Sequence, residues 1–431
     1  MKGIFSVVVA VGAFCALGEM TAKTAWTQRW PWDTKVDIDF TLSGGEKCDV
    51  AVTASFTTNG VAGTVDLERA GAEGDFWELE PGVHHLVWDP AAAGLDVAEI
   101  KDFAVTVTPV ENAAVARRWL VVTVKDGTWE YMADEPQDGW NQDVYKTDKM
   151  VFRRIPAGPF TSGLSSEEAA YLDAADAADA TSNQYYLEKK TRTITHDYYI
   201  AIYKTTYAQR SRIMNANSTS ADKRPCVTSE VYYPYLRGSN SVDNINWPTT
   251  RFAVKKDSII DKFRSRFGNR FWIDLPTSAQ WEKAARGGTD TFWYNGGTVG
   301  TPYSECTNLV NEIAYSCVNP NVAQYSLVDV GSYLANQYGL CDVVGMRPEY
   351  MLDGYSSAEP PSSEIIDPIG AYNPTRRVIR GQHNQFGHGL RYHTIAQYFW
   401  ENLDNTAANT YESFRFAIHL RPPQSFGGKW K

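Results

Sequence analysis

The amino-acid sequence predicts an α+β chain in two parts: a small all-β sandwich, then a longer, loop-rich domain of short strands and short helices. Three observations carry this expectation. Residues 33–125 alternate apolar and polar side chains with period two, the pattern of strands that bury one face. Later, Thr206-x-x-Gln209 and Thr277-x-x-Gln280 each fit a capping box, in which the Thr and Gln side chains satisfy orphan amides reciprocally at a helix start. Aromatic residues reach 13% of the chain, with 14 Trp and 24 Tyr, which suits irregular backbone packed around large flat side chains.

With 431 residues the chain exceeds one typical domain. Its start, "MKGIFSVVVAVGAFCALGEM", has Lys2, an apolar run from Ile4 to Leu17 and small residues around Gly18, so residues 1–18 read as a secretory signal peptide. Phe14 precedes Cys15 where a lipoprotein signal needs a small residue. No later run approaches the roughly 20 apolar residues of a membrane-spanning helix, so an exported protein is expected, in the periplasm, at the cell surface or outside the cell.

In "KVDIDFTL", Val36, Ile38, Phe40 and Leu42 share one face; "DVAVTASF", "FAVTVTPV" and "RWLVVTV" repeat the pattern, and "SGG", "TNG" and "EPG" supply turns. This predicts an immunoglobulin-like sandwich over 33–125. His84 and His85 are adjacent in a strand and face opposite ways, which makes them poor co-ligands. Residues 126–149 are polar and turn-rich and read as a linker, leaving 150–422 as the second domain. There the acidic "SSEEAAYLDAADAADATS" lacks the spacing and glycine of a calcium loop and reads as a solvated insertion. Beyond the two capped helices, "DSIIDKFRSRFG" predicts a third, with Ile259, Ile260, Phe263 and Phe267 as its apolar stripe.

The net charge of −10 argues against a nucleic-acid partner. Five cysteines follow the signal segment, an odd number that leaves at least one thiol outside any intramolecular pairing; Cys306 and Cys317 are the candidate disulfide. Histidines cluster in "RGQHNQFGHGLRYH", residues 380–393, which holds His383, His388 and His393 out of seven in the chain. Their spacing of five rotates a helix by roughly 140° and alternates strand faces, so regular structure cannot converge them on a metal.

Taken in order, "VFRRIPAGPFTSG", "HDYYIAIYKTTYAQ", "RPCVTSEVYYPYLRG", "FWIDLPTSAQWEKAARGG", "VGSYLANQYGLCDVVGMRPEYMLDGY", "RVIRG" and "SFRFAIHL" resemble the formylglycine-generating enzyme, or sulfatase-modifying factor, domain. The resemblance implies a variant of the C-type lectin fold, poor in regular secondary structure. It also implies an oxidase that converts a client sulfatase's cysteine to formylglycine, using copper held by two cysteines just after an Arg-Gly-Gly-Ser motif. Here Arg380 and Gly381 match, but Gln382 and His383 stand where Gly and Ser belong, and the cysteine positions fall near Phe386 and Leu390 or Arg391. No cysteine occurs after Cys341, so copper is not expected.

The family's usual Gly-Asn-Val-Trp-Glu-Trp, which supplies oxygens to calcium, is replaced by Gly345, Met346, Arg347, Pro348, Glu349 and Tyr350. Met346 offers no hard oxygen and Arg347 adds positive charge, so an Arg347 contact to Glu349 or Asp353 is expected in place of the ion. No cofactor is required; calcium is the ion the resemblance leaves open, with Asn308, Leu309 and Glu349 as candidate ligands.

Three readings follow. In the first, the chain is a non-oxidase binding module that offers Arg380, Gln382, His383, Asn384, His388 and Arg391 in a groove to a peptide or glycan. In the second it is a formylglycine-generating oxidase with relocated catalytic residues and a sulfatase as partner. The third, an iron-dependent sulfur–carbon ligase, needs an upstream His-x-x-x-His that residues 1–149 lack.

Overall fold

In the computed structural model the described residues are 9–10, 21–45, 47–110, 112–175, 187–227, 236–237, 254–268, 270–316, 319, 321–322, 326–355, 366–368, 376–381, 390–402 and 412–419. The chain divides into two compact units, Met1–Arg117 with residues 268–270, and Arg118–Phe267 with Phe271–Lys431.

The first unit is all-β apart from single helical turns. Its strands are β1 (Val9–Ala10), β2 (Thr21–Gln28), β3 (Val36–Ser43), β4 (Asp49–Thr58), β5 (Val61–Asp66), β6 (Gly82–Trp88) and β7 (Lys101–Val110). They form two antiparallel sheets, ordered β1-β2-β3-β6 and β5-β4-β7. The period-two pattern decides which faces meet: Val36, Ile38, Phe40 and Leu42 are buried, as are Val50, Val52, Ala54 and Phe56. Phe103 of β7 packs against Trp26 and Trp88 of the other sheet, with ring centroids 4.8 and 6.0 Å away. His84 and His85 do diverge, one stacked on Phe40 and the other bonded to Asp39.

Two expected boundaries move. The run "RWLVVTV" forms β8 (Trp119–Thr123), which pairs with β9 (Trp129–Met132) and β10 (Lys149–Ile155) in the second unit instead of extending the sandwich. Trp119, Leu120, Val121 and Val122 are all buried, so β8 is covered on both faces, unlike the half-exposed strands before it. The segment 126–149 is likewise not a linker: it carries β9 and a helical turn, Val144–Thr147, and Trp140 packs on Trp119.

The second unit is built on a six-stranded antiparallel sheet, completed by β13 (Tyr198–Ala201), β14 (Trp272–Asp274) and β18 (Ala417–His419) in the order β14-β18-β13-β10-β8-β9. Two smaller antiparallel sheets join β11 (Gly158–Ser162) to β12 (Lys190–Ile194), and β15 (Glu349–Gly354) to β16 (Arg376–Arg380) to β17 (Phe399–Asn402). Both capping boxes are present, at Thr206 for helix Tyr207–Met214 and at Thr277 for helix Ser278–Arg286; Gly287 ends the latter in the left-handed conformation. The third helix, Ile259–Arg264, continues as a 3-10 turn that buries Phe267. Within the acidic stretch, Ser166–Ala175 is helical and Leu172 is fully buried, so that part is anchored in the core.

Candidate functional site

Strand β16 delivers Arg380 to the region where the family's catalytic motif begins. The side chain turns inward: it is 1% exposed, donates to Ser278 Oγ at 2.9 Å, Glu282 Oε2 at 2.8 Å and the Ile395 carbonyl at 2.9 Å, and lies over the Trp281 ring. Arg380 is thus a core residue and not a groove ligand, a correction that its carboxylate partner explains. Glu282 sits on the Ser278–Arg286 helix, all nine of whose residues are buried. It also accepts hydrogen bonds from Ser162, the Gly163 amide and Arg286. Burial opposes ionisation of this carboxyl, but Arg380 and Arg286 outweigh it and hold the group down at about 2.

Gly381 follows with φ +70°; a Cβ there would stand 2.5 Å from the Val343 carbonyl oxygen, so glycine is demanded by close approach as well as by conformation. Gln382, His383, Asn384 and His388 lie outside the described residues. The backbone of Arg391 belongs to a 3-10 turn, Leu390–His393. Leu390 is 1% exposed within the main apolar cluster. His393 is fully buried, its Nε2 2.6 Å from Ser316 Oγ and its carbonyl receiving the Trp293 indole N–H. This third histidine is therefore a hydrogen-bonded core residue.

Glu349, at the start of β15, is fully buried and bound by other partners than expected. Oε1 accepts from Lys204 Nζ at 2.6 Å and Arg415 Nη2 at 2.8 Å; Oε2 accepts from Arg415 Nε at 2.7 Å and Trp281 Nε1 at 3.0 Å. Its described partners are thus Lys204, Arg415 and Trp281. Asp353 accepts the Ser278 amide, at the first turn of the helix that carries Glu282. Burial again opposes the Glu349 charge, and Arg415 and Lys204 lower its pKa regardless. The calcium candidates are not brought together as a set by any described contact. Asn308 is exposed on helix Tyr303–Ile313, and Leu309 is half-buried with its carbonyl accepting from Asn295. Among the described residues no group of three His, Cys, Asp or Glu is placed to hold a metal.

The described cysteines are thiols. Cys306 donates to the Thr301 carbonyl and is not in a disulfide, contrary to the expected pair, while Cys317 lies outside the described residues. Cys341, the last cysteine of the chain, is 7% exposed, and burial pushes its thiol well up, away from the thiolate that metal binding or nucleophilic chemistry needs. These facts do not fit the copper chemistry of the resemblance: the position near the second cysteine is packed with Leu390, and no cysteine follows Cys341 in the sequence. A cavity with room for about one ordered water lies beside the Glu282 network, lined by Ser162, Arg192, Ser278, Asp353 and Tyr398 among others.

Lys204, Trp281, Glu282 and Arg415 were not singled out by sequence. The available signal was a charge at the end of an apolar run, for Lys204 ends "YYIAIYK"; Glu282, between Trp281 and Lys283, carried none.

No helix among the described residues is long and apolar enough to cross a membrane. Compared with known proteins, the sequence shares 33% identity over 112 residues with a formylglycine-generating enzyme of Thermomonospora curvata, covering 25% of this chain and 37% of that one. Another, from Streptomyces coelicolor, is 33% identical over 108 residues, 25% of this chain and 34% of the relative. The matched region thus spans little more than a third of either relative. Similar solved structures include PvdO from Pseudomonas aeruginosa (16% identity, TM-score 0.42, covering 64% of this chain and 97% of that one) and Treponema denticola variable protein 1 (18%, 0.40, 64% and 96%). The profile of the sulfatase-modifying factor enzyme 1-like domain matches residues 137–419, about two thirds of the chain. The chain belongs to this FGE-sulfatase family.

Proposed function

We propose that this chain is an exported recognition module that binds a peptide or glycan and does not oxidise client cysteines. The observation that carries the reading is Leu390. It lies near a position where the family's enzyme places a copper thiolate, and here it is an apolar core residue, with no cysteine anywhere after Cys341. Arg380, which precedes the divergent motif, is held in a buried network with Glu282 and Arg286. In the sequence after Arg380, Gln382, His383, Asn384, His388 and Arg391 carry neutral donors and acceptors and one fixed positive charge, side chains suited to peptide groups or sugar hydroxyls.

A second observation favours the glycan arm. Trp30 and Trp32, in the turn between β2 and β3, are 48% and 84% exposed, and flat exposed indoles are suited to stacking on sugar rings. The test is to incubate the purified full chain with a Cys-x-Pro-x-Arg peptide, copper and oxygen, and to follow formylglycine by mass spectrometry while screening glycan and peptide arrays for binding. No conversion with selective array binding is expected. Conversion that disappears in His383→Ala or His388→Ala would establish the oxidase reading instead.

A further inference from the structure

Calcium beside Glu349 is what the family resemblance implies, and the residues there do not fit it. Calcium takes six to eight oxygens at roughly 2.3–2.6 Å and uses carboxylates with open lone pairs. Both oxygens of Glu349 already accept two donors each, from Lys204, Arg415 and Trp281. Lys204 and Glu349 are both 0% exposed, so this is a buried ion pair and not a surface contact that an ion would readily displace. Met346 is buried without a hard donor on its side chain, and Arg347, 2% exposed, brings a further guanidinium into the same segment.

We propose that the Lys204 ammonium, seconded by Arg415, occupies the electrostatic role of a divalent cation at Glu349, so that this site is held together without calcium. A lysine can do this because its ammonium is a compact point charge with three donors, carried to the site by the backbone and therefore never lost by dilution or chelation. Asp342 supports the arrangement. It is 1% exposed, its Oδ2 accepts the Gly331 amide, and its Oδ1 has no hydrogen-bond partner among the described residues; burial lowers the Lys204 pKa and raises that of Asp342, and the attraction between the two opposes both shifts. Removing the ammonium leaves acceptor oxygens on Glu349 and Asp342 without that counter-charge. This inference is independent of the ligand the protein binds.

The experiment compares thermal melts of the full chain in EDTA and in millimolar calcium, with terbium luminescence as a direct probe of ion binding. Wild type is expected to melt at the same temperature in both, within about 1 °C, whereas Lys204→Met melts lower in EDTA, is raised by calcium and gains terbium emission. A wild-type melting temperature that falls in EDTA, recovers with calcium and does so equally in Asn308→Ala overturns the proposal. A folded Lys204→Met that shows no calcium response and no gain in terbium emission overturns it too. If Lys204→Met does not fold, the wild-type comparison still decides.

Discussion

Glu282 Oε2 and Arg380 Nη2 lie 2.8 Å apart with both side chains 0% exposed, joining a helix to the strand end that precedes the divergent motif across 98 residues of sequence. Arg286, four residues along the same helix, holds the other carboxylate oxygen. Removing one member of such a group leaves the remaining charges buried without compensation, which costs about 3–5 kcal/mol. Arg380→Met and Glu282→Gln should each lower stability by that order in urea unfolding, and the double variant should lose clearly less than the sum. Additive losses would show that the pair is not energetically coupled.

Glu282 also sets an acid limit. Its folded pKa of about 2 lies below the ordinary value of 4.5, so the unfolded state binds the extra proton between those values. The stabilisation is present above about pH 4.5 and lost as pH falls through about 2, amounting to about 3 kcal/mol. Acid titration of the unfolding free energy should show this slope, and Glu282→Gln should remove it.

His419 in β18 predicts a second, milder window. Burial holds the imidazole down at about 4 against an ordinary 6.5, so it is neutral in the folded protein at pH 7. Unfolding releases it to protonate, and stability therefore declines as pH falls from 6.5 toward 4. His419→Gln should flatten that part of the profile while leaving the lower, Glu282-dependent part in place.

The corrected boundary makes a prediction about fragments. Residues 24–135 include β8 and β9 without their partner β10 and expose unpaired, apolar strand edges. That fragment should self-associate in size-exclusion chromatography, whereas 24–117 should stay monomeric and melt cooperatively. The opposite behaviour would return β8 to the sandwich.

Trp30→Ala and Trp32→Ala should leave the melting temperature unchanged, because surface substitutions of this kind stay within about 0.5 kcal/mol. Each should weaken binding to any glycan found on an array by roughly tenfold. Glycan binding unaffected by both substitutions would remove the indoles from the recognition surface.

What was legible in the sequence was local. Thr206 and Thr277 announced their helices because a cap and its partner lie three residues apart, and Val36 to Leu42 announced a half-buried strand by alternation. The buried charges were not legible for the opposite reason: Lys204 meets Glu349 145 residues away, and neither position shows whether a lone charge points outward or into the core. Arg380 read as a groove residue because its motif context was visible and Glu282 was not recognised as its partner. The sandwich was overrun into β8 because a strand's pattern does not state which sheet receives it. The bond between His393 and Ser316 depends on a turn that spacing alone does not specify.

Among the described residues the Arg380 side chain bonds to Ser278, Glu282 and Ile395. These three bonds do not involve residues 382–389, so substitutions there need not break them. Ser278, Glu282 and Ile395 thus form a socket for the strand end that is separate in sequence from the segment 382–389. The same independence offers an engineering route: rewriting 382–389 toward the oxidase motif leaves the socket's bonds in place, whereas putting a thiol at Leu390 first requires the core to give up a packed leucine.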